Sequence, residues 1–199
     1  MSFARLVLAT RNADKVREIQ AILGLQDGQL VSLLDYPHFA DIEETGSTLE
    51  ENARIKAREG FRMTGTPCIA DDTGLEVDAL GGAPGVSSSR YAGETATYAE
   101  NVRKILSVMK DVPAGKRTAR FRCVVALKAE GREEWVEGAC EGVILTEPRG
   151  AGGFGYDPVF FVPETGKTLA EMSLAEKNTI SHRGRAFRAM AEVLRKNPV

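Results

Sequence analysis

Only three of the 199 residues are cysteine and only one is tryptophan. Cys68, Cys123 and Cys140 stand singly, without CxxC spacing, so neither a zinc site nor a disulfide framework is expected, and buried reduced thiols are the natural reading. An excess of one sign of charge is also lacking: 26 Lys and Arg face 28 Asp and Glu, a formal net charge of −2. Such a balance gives no general attraction to a nucleic-acid backbone or an anionic membrane, and any anionic substrate has to be met by local cations. No apolar run approaches the roughly 20 residues of a membrane span. Met1 to Arg5 lead straight into an apolar strand without a long apolar region, which predicts a cytoplasmic protein. Linkers, repeats and low-complexity tracts are absent. What remains is an ordinary globular composition, 43% hydrophobic and 27% charged. At about 150 residues per domain, the length suits one continuous domain over 1–199, with room for two lobes.

Leu6 to Ala9 reads as a short strand, followed by a loop and a helix carrying Val16, Ile19, Ile22 and Leu23 up to a break at Gly24. Thr48 and Glu51 have capping-box spacing and open a second helix, through Ala53, Ala57 and Phe61 to Gly65-Thr66-Pro67. Cys68 to Ala70 reads as a buried strand that stops at a glycine turn. Thr97 and Glu100 open a third helix, ending before Pro113, with Tyr98, Val102, Ile105, Leu106 and Met109 on one face. Ala119 to Lys128 alternates with period two, and Glu130-Gly131 turns it into a second extended segment, Glu133 to Leu145. Pro158 to Val162 is a short strand, Ser173 and Glu176 cap another helix, and Phe187, Met190, Ala191 and Leu194 mark a C-terminal one beginning near Ser181. Parallel-type units followed by a hairpin predict an α/β protein with a mixed sheet.

Chemistry concentrates at a few places. Asp71 and Asp72 put adjacent carboxylates at the end of a buried strand, a poor core but a good grip for a metal; Asp71 serves equally well as a turn cap. Thr10, Arg11, Asn12, Ala13, Asp14 and Lys15 join strand to helix, where free N–H groups and the helix dipole favour a phosphate, although the same residues make plain caps. Thr48, Asn52 and Lys56 share a helix face just after Glu43 and Glu44. Taken singly, each suits a solvated surface. The loop 150–158, with Phe154, Gly155, Tyr156 and Asp157, combines glycine freedom with rings on which a flat base can stack; Tyr156 fits a core equally well. Lys177, Ser181, His182 and Arg183 gather donors at a helix junction, and Arg90 is a further anion contact or a surface residue.

In this order, the pieces resemble the inosine triphosphate pyrophosphatase family, which hydrolyses ITP, dITP and XTP to the monophosphate and pyrophosphate. The resemblance covers nearly the whole chain. It is carried by Thr10-x-Asn12-x-x-Lys15, by Glu43-Glu44-Thr45-Gly46 with Glu51-Asn52-Ala53, by Ala70-Asp71-Asp72-Thr73-Gly74-Leu75 with Gly81-Gly82-Ala83-Pro84-Gly85, by Gly152 to Pro158, and by Ser181-His182-Arg183-Gly184. Arg11 stands where glycine or histidine is frequent, and Thr73 where serine is, which keeps the hydroxyl.

The resemblance implies a long mixed sheet flanked by helices, two lobes with a central cleft holding the site, and a homodimer. It implies Asp72 as general base, Mg²⁺ on Glu43, Glu44 and Asp72, the loop 10–15 and Lys56 at the phosphates, and Thr73 on the substrate. Phe154 to Asp157 would then hold base and sugar, and Lys177, His182 and Arg183 the purine edge. A nucleoside triphosphate brings about four negative charges, so the acidic cluster needs the ion to bind it. Two rivals stand beside this reading: a pyrophosphatase for modified pyrimidines or damaged nucleotides, and a nucleotide sensor whose carboxylates only cap turns.

Overall fold

The computed structural model describes residues 5–25 and 28–199; the expected approach of Met1 to Ala4 to the first strand lies outside them. The chain divides into two compact units. The first comprises Met1–Asp72, Cys123–Gly138 and His182–Val199, the second Thr73–Arg122 and Ala139–Ser181.

In the first unit, strand β1 (Leu6–Leu8) leads into helix α1 (Ala13–Leu23). The Asn12 side chain caps α1 by accepting from the amides of Asp14 and Lys15, and Gly24, at φ 58°, closes it. Strand β2 (Leu30–Ser32), too short to announce itself by periodicity, precedes helix α2 (Leu49–Thr64) and strand β3 (Cys68–Val77). β1 pairs in parallel with both β2 and β3. Ile19 and Leu23 of α1 share a core with β1, with Cys123, Val125 and Leu127, and with Phe187, Met190 and Leu194 of helix α5 (His182–Lys196). Each large apolar side chain buried there contributes roughly 1.5–3 kcal/mol.

Helix α2 lies close against its strands because of what it omits. A Cβ at Gly60 would strike Cys68 Sγ and come within 3.1 Å of Ala9 Cβ. Asn52 and Lys56 stand two turns and one turn before Gly60 on the same face. Both are buried rather than solvated, 0% and 7% exposed.

The second unit takes up β3 at Thr73. It contains strand β4 (Pro84–Gly85), antiparallel to β3, helix α3 (Tyr98–Val108), and strands β7 (Phe160–Val162) and β8 (Lys167–Thr168), with helix α4 (Leu174–Ile180) near its end. Leu75, Ile105, Met109, Phe121, Phe160 and Leu169 form its core. Strands β5 (Thr118–Ala129) and β6 (Arg132–Ile144) are joined by two residues alone, which admits only an antiparallel hairpin. The sheet order is β2-β1-β3-β5-β6-β7-β8, with β4 beside β3. The expected α/β fold with a long mixed sheet and flanking helices is therefore present, and all three predicted capping boxes form.

One expectation fails. β3 does not stop at Ala70 before a glycine turn; it runs on through Asp71, Asp72 and Gly74 to Val77. Carboxylates interrupt a buried strand only when they lack partners, and these two have partners from α1, α2 and α5.

Gly60→Ala should destabilise the protein by about 1–3 kcal/mol through overpacking, against a helix-propensity gain of about 1 kcal/mol. Denaturant midpoints of Gly60→Ala, Cys68→Ala and the double variant should show the pair losing less than the sum of the singles; additive losses would mean that Sγ is not what Gly60 avoids.

Candidate active site

Successive side chains of a strand face opposite sides. Asp71 and Asp72 therefore belong to two different clusters in the first unit, and they do not chelate one ion together.

Asp71 is buried among cations. Its Oδ2 lies 3.0 Å from Lys15 Nζ of α1 and 3.5 Å from Arg183 Nη2 of α5. Arg183 Nη1 also pairs with Glu18 Oε2 at 2.7 Å, and Arg183 is 2% exposed. Burial works against the Asp71 charge, but Lys15, Arg183 and Lys56 outweigh it and hold the carboxyl below its ordinary range. For Arg183 burial again opposes the charge, and Asp71 and Glu18 overcome it, keeping the guanidinium firmly protonated.

Asp72 meets the other cluster. Lys56 Nζ lies 2.9 Å from Asp72 Oδ1 and 2.8 Å from Glu44 Oε1, and Asn52 Nδ2 donates to Asp72 Oδ2 at 3.4 Å. Burial pushes the Asp72 carboxyl above its ordinary value and Glu44 adds to the effect, while Lys56 and Lys15 pull it back. Lys56, despite burial, is held protonated by Asp72, Glu44 and Asp71. The segment before α2 is fitted to this cluster: Gly46 N donates to Asn52 Oδ1 at 2.8 Å, and a Cβ on Gly46 would lie 2.6 Å from Glu51 Cβ.

Counting these named groups, Lys15, Lys56 and Arg183 face Asp71, Asp72, Glu18 and Glu44. Three cations against four carboxylates leave one negative charge, and it lies on the Asp72 side. Among the described residues no three of His, Cys, Asp and Glu gather as a metal cage. Two carboxylates that already share one cationic atom are nonetheless the donor set that suits Mg²⁺, which is commonly held by one or two carboxylates together with substrate phosphates.

Other expected site residues fall as follows. Thr10 Oγ1 accepts from Asn12 N at 3.2 Å, Ala13 is exposed at the start of α1, and Asp14 pairs with Arg17 at 3.1 Å. Arg11 bonds the backbone of residues 33–39. Glu43 is exposed beside Asp41, Ile42 and Thr45, apart from the contacts that Glu44 makes. Thr73 is half-buried and His182 fully buried. Arg90 reaches Glu94 at 3.6 Å.

In the second unit Asp157 Oδ2 accepts from Phe154 N at 2.9 Å and from Lys177 Nζ at 2.5 Å. The Lys177 ammonium stands 4.9 Å from the centre of the partly exposed Phe154 ring, and the Tyr98 ring is 5.7 Å from it. Gly155 takes φ 62° and leaves its surroundings open. Tyr156 faces inward, 4% exposed, with its hydroxyl donating to Ser88 O at 2.8 Å. Burial raises that phenol's pKa further above its usual value.

Two participants have no counterpart among the residues expected from sequence. Glu18 sits three residues after Lys15 on α1, so helical spacing could have flagged an acid on a largely apolar face. Tyr98, expected on the apolar face of its helix, is 42% exposed.

The sequence matches the Ham1 family over residues 6–193. It is 52% identical over 188 residues, 94% of this chain and 92% of the other, to a Geobacillus kaustophilus (strain HTA426) protein named dITP/XTP pyrophosphatase. An Escherichia coli (strain K12) protein of that name is 48% identical over 194 residues, 96% and 98% of the two chains. Among solved structures, a HAM1 protein from Coxiella burnetii aligns with TM-score 0.87 and 45% identity over 98% of this chain and 100% of that one. A nucleoside-triphosphatase / dITP/XTP pyrophosphatase from Mycobacterium abscessus aligns with TM-score 0.74 and 43% identity, over 94% and 98%.

The two clusters should respond oppositely to neutralisation. Asp71→Asn leaves Lys15 and Arg183 short of a counter-charge and should cost about 3–5 kcal/mol at pH 7. A carboxyl titrating below its ordinary range stabilises the fold above its unfolded pKa, so this loss should shrink as the pH drops below about 4. Asp72, whose ionisation burial opposes, should tolerate Asp72→Asn with a Tm at or above wild type. Denaturant titrations at pH 7 and pH 3 check both, and an Asp72→Asn loss as large as that of Asp71→Asn would refute the division.

Proposed function

The chain belongs to the Ham1 family, and from that membership, together with the Glu44–Lys56–Asp72 constellation, we propose that it hydrolyses dITP, XTP and ITP to the nucleoside monophosphate and pyrophosphate. It is a hydrolase of the triphosphate anhydride bond. The observation that carries the mechanism is the single Lys56 ammonium shared by two carboxylates, which leaves their cluster one positive charge short of neutral.

Glu44 and Asp72 are the residues that would hold Mg²⁺, with Glu43 adjacent to Glu44 in the chain. When bound, the ion supplies positive charge that offsets both the carboxylates and the triphosphate. Asp72 is the general base: its carboxylate takes a proton from water as the water oxygen bonds the α-phosphorus, and the bond from that phosphorus to the bridging oxygen breaks, its electron pair leaving with pyrophosphate. Asn52 and Lys56 fix the two carboxylate oxygens of Asp72.

Lys15 and Lys56 face the charge that grows on the departing group. The Asp14 and Lys15 amides already donate to Asn12, so the Lys15 ammonium, with Thr10, Asn12, Ala13 and Asp14 around it, is the cationic feature of the loop. Thr73 offers a hydroxyl to the substrate. Phe154 is the stacking surface, supported by its partly exposed ring, with Gly155, Tyr156 and Asp157 shaping the loop. Lys177, His182 and Arg183 serve the keto edge of the purine; Lys177, held by Asp157 over Phe154, has the geometry that best suits a donor to a stacked base. A site that hydrogen-bonds the keto oxygen leaves donors unpaired against adenine, a difference that can reach about 10⁴ in kcat/KM. One catalytic domain over residues 1–199, a homodimer and a cytoplasmic location complete the reading; of these, the family resemblance supports the homodimer. Among the described residues no helix is long and apolar enough to cross a membrane.

Incubation with ITP and Mg²⁺ should yield IMP and pyrophosphate; IDP and orthophosphate would move attack to the terminal phosphorus and displace Asp72 from its role. Asp72→Asn should lower kcat by about 10²–10⁴, the range of a lost general base, while circular dichroism remains that of the wild type. A near-normal kcat would overturn the assignment.

A further inference from the structure

Arg11 lies in the loop that carries Asn12 and Lys15, yet its guanidinium serves another segment. Nη1 donates to Leu33 O at 2.7 Å, and Nη2 donates to Tyr36 O at 3.2 Å and to Phe39 O at 2.5 Å. Nε pairs with Asp41 Oδ1 at 2.8 Å. All three nitrogens of the side chain thus hold one stretch, residues 33–41, between β2 and α2.

Beyond a single 3₁₀ turn, Leu33–Asp35, which Ser32 and Asp35 cap reciprocally, that stretch does little to hold itself. Its backbone bonds include only tight-turn contacts, Tyr36 N to Leu33 O and Phe39 N to Tyr36 O, both at 3.2 Å, and residues 40–46 form neither helix nor strand. Tyr36 and Phe39 stack at 5.5 Å on its surface. Further along, Glu44 reaches Lys56 and Gly46 reaches Asn52. The connection is therefore pinned at its far end by the Asp72 cluster and at its near end by Arg11.

We propose that Arg11 is a positioning residue that sets the placement of Glu44, and is not a ligand of the substrate phosphate. The inference rests on the reading that Glu44 serves the metal-bound triphosphate. Three carbonyls and a carboxylate already engage four of the five N–H groups of this guanidinium, which leaves it little to offer a phosphate. Its planar fork also explains the choice of arginine, because a lysine ammonium is a point donor that cannot span carbonyls at 33, 36 and 39 together. Arg11 links the phosphate loop to the acidic segment, so the two are set as one piece before any substrate arrives.

The test uses Arg11→Ala and Arg11→Lys in the full chain. Without metal or nucleotide, amide hydrogen exchange over residues 33–46 should speed up by about tenfold or more in both variants, while β3 and α5 keep wild-type protection. The Mg²⁺ concentration for half-maximal ITP hydrolysis should rise about tenfold, as when a residue supporting a metal ligand is lost. KM for ITP at saturating Mg²⁺ should stay within about threefold of wild type. Wild-type exchange rates, or a raised KM at saturating Mg²⁺ that Arg11→Lys restores, would overturn the proposal and return Arg11 to the phosphate. If the wild-type protein released no pyrophosphate, the proposed activity would fail, and the exchange rates would still decide whether Arg11 holds the segment.

Discussion

Two adjacent carboxylates on a buried strand cannot look the same way, and each side of the strand has to answer its own charge. On one side Lys15 and Arg183 close around Asp71, with Glu18 completing an evenly matched set. On the other, Lys56 alone faces both Asp72 and Glu44. Burial multiplies the consequence, because charge left uncompensated in a low-dielectric surrounding is costly. The balanced side needs no further ion to match its charge. The unbalanced side is one cation short, and it is the side to which the proposed reaction assigns a cation and a polyanion together.

Small residues and caps make the asymmetry possible. Gly60 lets α2 settle against Cys68 and Ala9, which brings Lys56 and Asn52 within reach of Asp72. Gly46 lets the preceding segment fold over the helix start, where the reciprocal bonds of Thr48 and Glu51 satisfy amides that would otherwise compete for the site's acceptors. Arg11 performs by side chain what no helix or strand performs for residues 36–41. Arg117 does likewise in the second unit, 3% exposed and donating to the carbonyls of Met109, Val112, Ile144 and Leu145. In each case an arginine replaces the missing backbone ladder of an irregular stretch.

Much of this is legible in residue order. Capping boxes locate α2, α3 and α4, period-two alternation locates β5, and the chemistry-bearing segments are recognisable by resemblance. The end of β3 is not, because a carboxylate pair next to glycine reads locally as a turn, and only long-range partners from α1, α2 and α5 make its continuation possible. Glu18 escapes notice because a lone acid on an apolar helix face has no meaning until Arg183, 165 positions away, is brought to it. Arg11 reads as a phosphate contact by its place in the loop; its bonds to residues 33–41 are a tertiary fact with no local signature. Glu43 and Glu44 are indistinguishable in sequence, and the difference between them arises only from the direction the chain takes before α2.

The choice of cation on each side follows the same logic. Arg183 meets two carboxylates at once: its fork spans Glu18 and Asp71, and a guanidinium stays charged however deeply it is buried. In the proposed reaction, Lys56 sits where partners have to change. An ammonium is a point charge on a flexible stem, so it can keep Asp72 and Glu44 together in the resting protein and loosen its hold on one of them when a divalent ion and a triphosphate enter, without breaking a bidentate geometry. An arginine at position 56 would hold the carboxylates more firmly, and by holding them would compete with the ion that the proposed reaction requires there.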